Sequence, residues 1–142
     1  MAELSRFESR SASLSCTREK FYGFITDIRN FGRFIPADVI KNWQADENTC
    51  TFVVSGLGDL KLNIALKEPC SLVRFNGNAL MTIDFVLSVL ISEESGNRAK
   101  VTLVMEAELN PLMKMMASGP IEKFLEMLVS EMEGFTNWDS VN

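Results

Sequence analysis

The sequence predicts an α+β domain: one layer of hairpin-connected antiparallel strands, with helices at the two ends of the chain. Three observations carry this. The hydrophobic period is two through the middle of the chain, it is 3.6 near the start and again after Asn110, and the strands follow one another without the alternating helices of βαβ units. With 142 residues, 46% of them hydrophobic and 23% charged, the chain suits a single domain spanning residues 1–142. Such a chain is long enough to bury a core of its own.

The first segment, Leu4 to Ser15, is Ser-rich with Phe7, Ala12 and Leu14, and reads as a weakly patterned edge strand. From Thr17, an N-cap residue, Phe21, Phe24, Ile25 and Ile28 follow i, i+3, i+4, i+7 and predict a helix to about Asn30. Phe31, Phe34 and Ile35 form a short helical connector that Gly32 and Pro36 keep separate. The period then becomes two. Val39 to Ala45 and Thr49 to Val54 make a hairpin about the polar turn Asp46-Glu47-Asn48, with Cys50, Phe52 and Val54 on one face. After a turn at Ser55-Gly56-Leu57-Gly58, Leu60, Leu62, Ile64 and Leu66 alternate with Lys61, Asn63, Ala65 and Lys67 up to Pro69.

Ser71 to Phe75 is the next short strand, and Asn76-Gly77-Asn78 carries a turn signature. Two longer strands follow about Glu94-Ser95-Gly96-Asn97. Met81, Ile83, Phe85, Leu87, Val89 and Ile91 share one face of the first; Ala99, Val101, Leu103, Met105, Ala107 and Leu109 share one face of the second. Beyond Asn110 a long amphipathic helix carries Leu112, Met113 and Met116, then Ile121, Phe124, Leu125, Leu128, Val129 and Met132. Pro120 removes a backbone donor, so the helix is expected to kink or restart at Gly119-Pro120.

Composition excludes several function classes. Fourteen Lys and Arg against nineteen Asp and Glu give a net charge of −5, the wrong sign for phosphate neutralisation, so nucleic acid is not an expected partner. No histidine is present, which removes His-based triads, His-ligated metals and His pH switches. Cys16, Cys50 and Cys70 are odd in number and far apart, and read as reduced thiols. The N-terminus MAELSRFESR lacks the apolar core of a signal peptide, and the longest apolar stretch, Met81 to Ile91, is broken by Thr82, Asp84 and Ser88. A cytoplasmic protein without stable membrane insertion is expected, with no cofactor, as a monomer or homodimer.

Phe7-Glu8-Ser9, Ile25-Thr26-Asp27-Ile28-Arg29-Asn30-Phe31, Phe34-Ile35-Pro36, Ile83-Asp84-Phe85, Asn110-Pro111-Leu112 and Pro120-Ile121-Glu122-Lys123-Phe124, in this element order, resemble the helix-grip superfamily. That group includes START lipid-transfer domains, plant pollen-allergen proteins and polyketide cyclase-like SRPBCC proteins. The resemblance implies a seven-stranded antiparallel sheet wrapped around the long C-terminal helix, one or two short helices after the first strand, and an apolar cavity between sheet and helix. Members that catalyse cyclisation place acid and base groups in that cavity, where this chain has no histidine to offer.

On that architecture, Phe34, Phe52, Leu62, Ile64, Ile83, Phe85, Leu103, Met105, Met113 and Met116 are the expected ligand-binding residues, and the ligand is a hydrophobic or amphipathic small molecule, lipid-like or polyketide-like. Methionines at 105, 113, 115, 116, 127 and 132 suit an adaptable pocket, or plain core filling. No catalytic or metal-ligating residue is assigned. Asp27 and Arg29 read as a solvated ion pair, with Tyr22 and Arg74 as further polar groups that could reach inward. Asp84 is expected on the outer face beside Thr82 and Lys100. Gly56-Leu57-Gly58 is a turn rather than a phosphate loop, since no helix opens after it. Cys50 and Cys70 are expected to be buried, and Trp43 and Trp138 to be isolated, the latter in a polar tail. Two other readings stand beside ligand binding: a cyclase or dehydratase using Asp27 and Tyr22, and a protein-interaction module on the same fold.

Overall fold

A computed structural model describes residues 3–54, 58–79, 83–136 and Trp138. The expected turn residues Ser55, Gly56 and Leu57 and the strand residues Met81 and Thr82 lie outside the described residues. Strands β1 (Glu3–Glu8) and β2 (Ala12–Ser13) come first, then helix α1 (Arg18–Ile25) and a 3-10 helix (Ile28–Phe34). Strands β3 (Ile40–Ala45), β4 (Thr49–Val54), β5 (Gly58–Glu68), β6 (Leu72–Ala79), β7 (Ile83–Glu94) and β8 (Arg98–Leu109) follow, and α2 (Pro111–Gly134) is the last helix. The strands pair antiparallel in the order β1-β8-β7-β6-β5-β4-β3, with β2 also on β8. This is the α+β layer expected, with the first strand at an edge.

Several boundaries differ from expectation for physical reasons. The first strand is two pieces, because the chain leaves the ladder between Glu8 and Ala12 and Arg10 turns toward α2. Arg10 donates to Glu126 at 2.8 Å, to both carboxylate oxygens of Glu133 at 2.9 Å and to Ser130 at 3.2 Å. Helix α1 is capped as expected, Thr17 Oγ1 accepting from the Lys20 amide, but it ends at Ile25 and the chain tightens into the 3-10 helix. Asp27 caps that helix through the Arg29 amide, so Ile28 reaches the core from it rather than from α1. Asp46 Oδ1 accepts from the amides of Asn48 and Thr49 and fixes the first hairpin turn.

On β5 the pairing with β6 slips between Ile64 and Leu66, so the alternation breaks and Leu66 faces solvent. Asn76-Gly77-Asn78 is no turn. It runs through the middle of β6, with Gly77 opposite Phe85, and Ala79 still pairs with Ile83. Asp84 is exposed and accepts a 2.8 Å hydrogen bond from Asn78, whereas Lys100 lies opposite Ser92.

Helix α2 begins on an Asn110 cap, with Pro111 at its start, and passes through Gly119-Pro120 without a restart. The proline sits where the helix changes character. Before it no residue is buried; after it Ile121, Phe124, Leu125, Leu128, Val129 and Met132 form a continuous buried stripe. The carbonyl that Pro120 leaves without its helical donor belongs to Met116, a residue that is 69% exposed. The stripe packs against β1, β2, β8 and the 3-10 helix.

A second apolar centre lies under α1. Trp138 is only 4% exposed, contrary to the polar-tail expectation, and its ring meets Phe21, Phe24, Phe34 and Phe135. Its indole N–H donates to Ser15 Oγ, whose hydroxyl donates to the Phe135 carbonyl. Trp43 is not isolated either: it packs on Phe52 at 5.4 Å between centroids and rests on Gly32, where a Cβ would stand 3.0 Å from its ring.

Two predictions follow from this packing. Phe124→Ala is expected to lower unfolding free energy by about 3–5 kcal/mol, as for a buried aromatic, measured in denaturant melts. Arg10 holds the Glu133 carboxyl below its ordinary range by hydrogen bonding. That contribution is therefore present above the unfolded-state value and fades as pH falls through the folded one. Arg10→Gln should accordingly flatten the stability loss of the protein between about pH 5 and about pH 2, read from urea midpoints across pH; parallel curves for the two proteins would contradict it.

Candidate functional site

The inward-facing residues of the sheet fall in cross-strand rows. One runs Ile64, Phe75, Leu87, Met105, Phe7, and all but Ile64 are buried. The next runs Leu62, Gly77, Phe85, Ala107, and the one after it Phe52, Leu60, Ala79, Ile83. Large side chains fill the first row. Gly77, Ala79 and Ala107 leave the next two shallow, and above them α2 presents the half that buries nothing.

Space remains there. A cavity of about 250 Å³ is lined by Leu60, Ala79, Ile83, Phe85, Met105, Ala107, Leu109, Met113, Met116, Ala117 and Ile121. Every one of these side chains is a hydrocarbon or a thioether. Among the described residues no carboxylate, side-chain amide, hydroxyl or cationic side chain lines the cavity, so none of them offers an acid or base there. Met113 is half-buried and Met116 exposed, so the two thioethers stand at the rim while Phe85 and Met105 lie deep.

Of the expected ligand-binding residues, the structure brings Ile83, Phe85, Met105, Met113 and Met116 together on this cavity. Phe34, Phe52, Leu62, Ile64 and Leu103 do not line it. Phe34 is enclosed by Phe24, Phe135 and Trp138, Phe52 by Phe31 and Trp43, and Leu62 and Leu103 are fully buried in the packed core. Ile64, half-buried, sits beside the slip in β5. Leu60, Ala79, Ala107, Leu109, Ala117 and Ile121 line the cavity without having been singled out. For Ala79 and Ala107 the signal lay in residue size: alanine at an inward-facing register position marks missing volume.

The polar groups weighed for chemistry lie elsewhere. Arg29 forms a two-pronged pair with Asp27, Nε to Oδ1 at 2.9 Å and a terminal nitrogen to Oδ2 at 2.6 Å. The guanidinium keeps the Asp27 carboxyl below its ordinary range. Neither Asp27 nor Tyr22 borders the cavity. Arg74 reaches along the outer face, its Nε 3.4 Å from Ser88 Oγ. Burial pushes the Cys50 thiol up to about 12 and the Cys16 thiol up to about 11, the opposite of what a nucleophile requires. Cys70 is half-buried rather than buried, in the turn between β5 and β6. Among the described residues no helix is long and apolar enough to cross a membrane.

No family model matches the chain, and no curated protein sequence matches it. Solved structures do. Norcoclaurine synthase from Thalictrum flavum, in complex with dopamine and hydroxybenzaldehyde, is similar with a TM-score of 0.69 and 6% identity, covering 96% of this chain and 91% of its own. XoxI from Bacillus cereus gives 0.68 and 8% identity, covering 96% and 99%. A Chromobacterium violaceum protein gives 0.58 and 12%, covering 93% and 99%. At such identities the likeness is one of fold: a long C-terminal helix gripped by an antiparallel sheet, the helix-grip fold.

The thiols provide a check on the packing around the site. Iodoacetamide at pH 8 should leave Cys50 and Cys16 unmodified in the folded protein and alkylate both in guanidinium, as read by peptide mass spectrometry. Rapid labelling of native Cys50 would mean that the β4 face opens.

Proposed function

We propose that this helix-grip protein binds a hydrophobic or amphipathic small molecule in the cavity between its sheet and the first half of α2. One observation carries the reading: a cavity of about 250 Å³ whose lining side chains, among the described residues, are all apolar. Dry apolar cavities of ~150 Å³ take up benzene, and drug-sized ligands occupy pockets of ~300–1,000 Å³. The buried part of the guest is therefore larger than one small ring and smaller than a sterol or a two-chain lipid. The norcoclaurine synthase complex with dopamine and hydroxybenzaldehyde supports the reading by analogy, since that protein takes small aromatic molecules on this fold.

An acid-base enzyme built on Asp27 and Tyr22 is supported less well, because Asp27 is engaged by Arg29 and neither residue borders the cavity. The adaptable thioethers at the rim fit binding, since Met tolerates guests of several shapes.

Native mass spectrometry of the protein purified from its own source is expected to show a co-purifying apolar molecule. Naphthalene at a hundredfold excess over its dissociation constant should raise stability by about 2.7 kcal/mol. Met113→Ala should leave stability nearly unchanged while altering the affinity for naphthalene. A loss for Met113→Ala as large as that for Phe124→Ala would place Met113 in the core and remove it from the rim.

A further inference from the structure

The geometry points to Gly77 as the residue that sets the size of the guest, acting through the ring of Phe85. The two residues face each other across β6 and β7 on the inner side of the sheet. A Cβ on Gly77 would stand 2.2 Å from Phe85 Cζ, 2.3 Å from Cε2 and 2.8 Å from Cε1. The far end of the ring thus occupies the space in which any other residue carries its first side-chain carbon. Nor is the glycine needed for backbone conformation: it lies within a regular ladder, paired on both sides, and is not among the positive-φ residues. Close approach of a neighbouring ring is its physical reason, an aromatic side chain covering a strand glycine.

The consequence falls on the cavity. Phe85 is one of its lining residues, and Ala107, on the other side of Phe85 in the same row, lines it as well. With a methyl group on residue 77, the ring has to leave β6. On the inner side of the sheet the neighbouring ground is that over Ala107, and it is cavity volume. Glycine at 77 therefore parks the ring at one side and keeps the floor low. Any larger residue would trade cavity for ring. This inference rests on the ligand-binding reading for its meaning, while the volume effect itself is a matter of packing.

Xenon occupies dry apolar cavities, so xenon-induced shifts of the 13C-labelled methyls of Met105 and Met113 read the cavity without assuming a ligand. Naphthalene titrated by calorimetry reads guest size. In the wild type both are expected to respond. In Gly77→Ala the xenon shifts should shrink and naphthalene affinity should fall about 10- to 200-fold, the range for a misfit of roughly one methylene in an apolar pocket. In the Gly77→Ala/Phe85→Leu double variant, where the obstructing ring is gone, both should return. The double variant also guards against a Gly77→Ala protein that fails to fold.

Wild-type affinity and wild-type xenon shifts in Gly77→Ala would overturn the assignment. A double variant as weak as the single one would overturn it too, because Gly77 would then act through something other than Phe85. Xenon shifts that follow the expected pattern, with no naphthalene binding in any variant, would support Gly77 as the volume-setting residue while removing naphthalene-sized guests from the functional reading.

Discussion

One helix has to cover the inner face of a sheet in which seven strands lie side by side, and it does so with large side chains over only half of its length. From Ile121 to Met132 α2 meets β8, β1 and β2 with a stripe of branched and aromatic residues. That burial is the main favourable term holding helix and sheet together. Everything else about the molecule follows from where the stripe stops. Past its N-terminal end the helix still runs over the sheet, but what it offers is Ala117, Met116 and Met113, and the sheet answers with Ala79 and Ala107. Small against small cannot close the gap.

The packed half is also tied down. Arg10 bridges from the break between β1 and β2 to Glu126, Ser130 and Glu133 on one side of α2. Trp138, beyond the helix end, inserts among Phe21, Phe24 and Phe34, with its N–H satisfied by Ser15. An ionic strap and an aromatic plug thus hold the same end of the helix. The N-terminal half is held by its Asn110 cap, its connection to β8 and the half-buried Met113 and Ala117, and it exposes Leu112, Met115 and Met116. Local opening draws on regions with few buried apolar contacts, so on the ligand-binding reading proposed above this is where a guest would enter most easily.

Much of this was legible in the sequence, and the failures are instructive. Period-two and period-3.6 patterns located the strands from β3 to β8 and both α-helices, because one dry face is enough to fix a register. Asn76-Gly77-Asn78 misled because an Asn-Gly pair is a strong local turn signal. The glycine was answering a tertiary demand instead, made by Phe85 across the ladder. Trp138 misled in the opposite way: a polar neighbourhood in sequence says nothing about a hole under α1 that an indole fits. The bulky inward residues Phe34, Phe52, Leu62 and Leu103 were expected at the ligand site because they are apolar and face inward. Residues of that kind fill space, however, and a cavity forms where such residues are absent.

The chemistry of the lining sets what the cavity can discriminate. Among the described residues its wall carries no polar side chain, so none of them would orient a guest by hydrogen bonds. A guest hydroxyl or carboxylate pushed inside would lose its water and gain no partner, at a cost of roughly 2–7 kcal/mol for a neutral group and more for a charged one. On the proposed reading, an amphipathic guest would therefore enter apolar end first and leave its polar end at the rim, beside Met113 and Met116. Selectivity then falls to shape, and shape falls to the few positions where one carbon more or less changes the volume. Leu60, Leu109 and Ile121 give the wall its width, Phe85 gives it depth, and the absence of a side chain on Gly77 decides where that ring can rest.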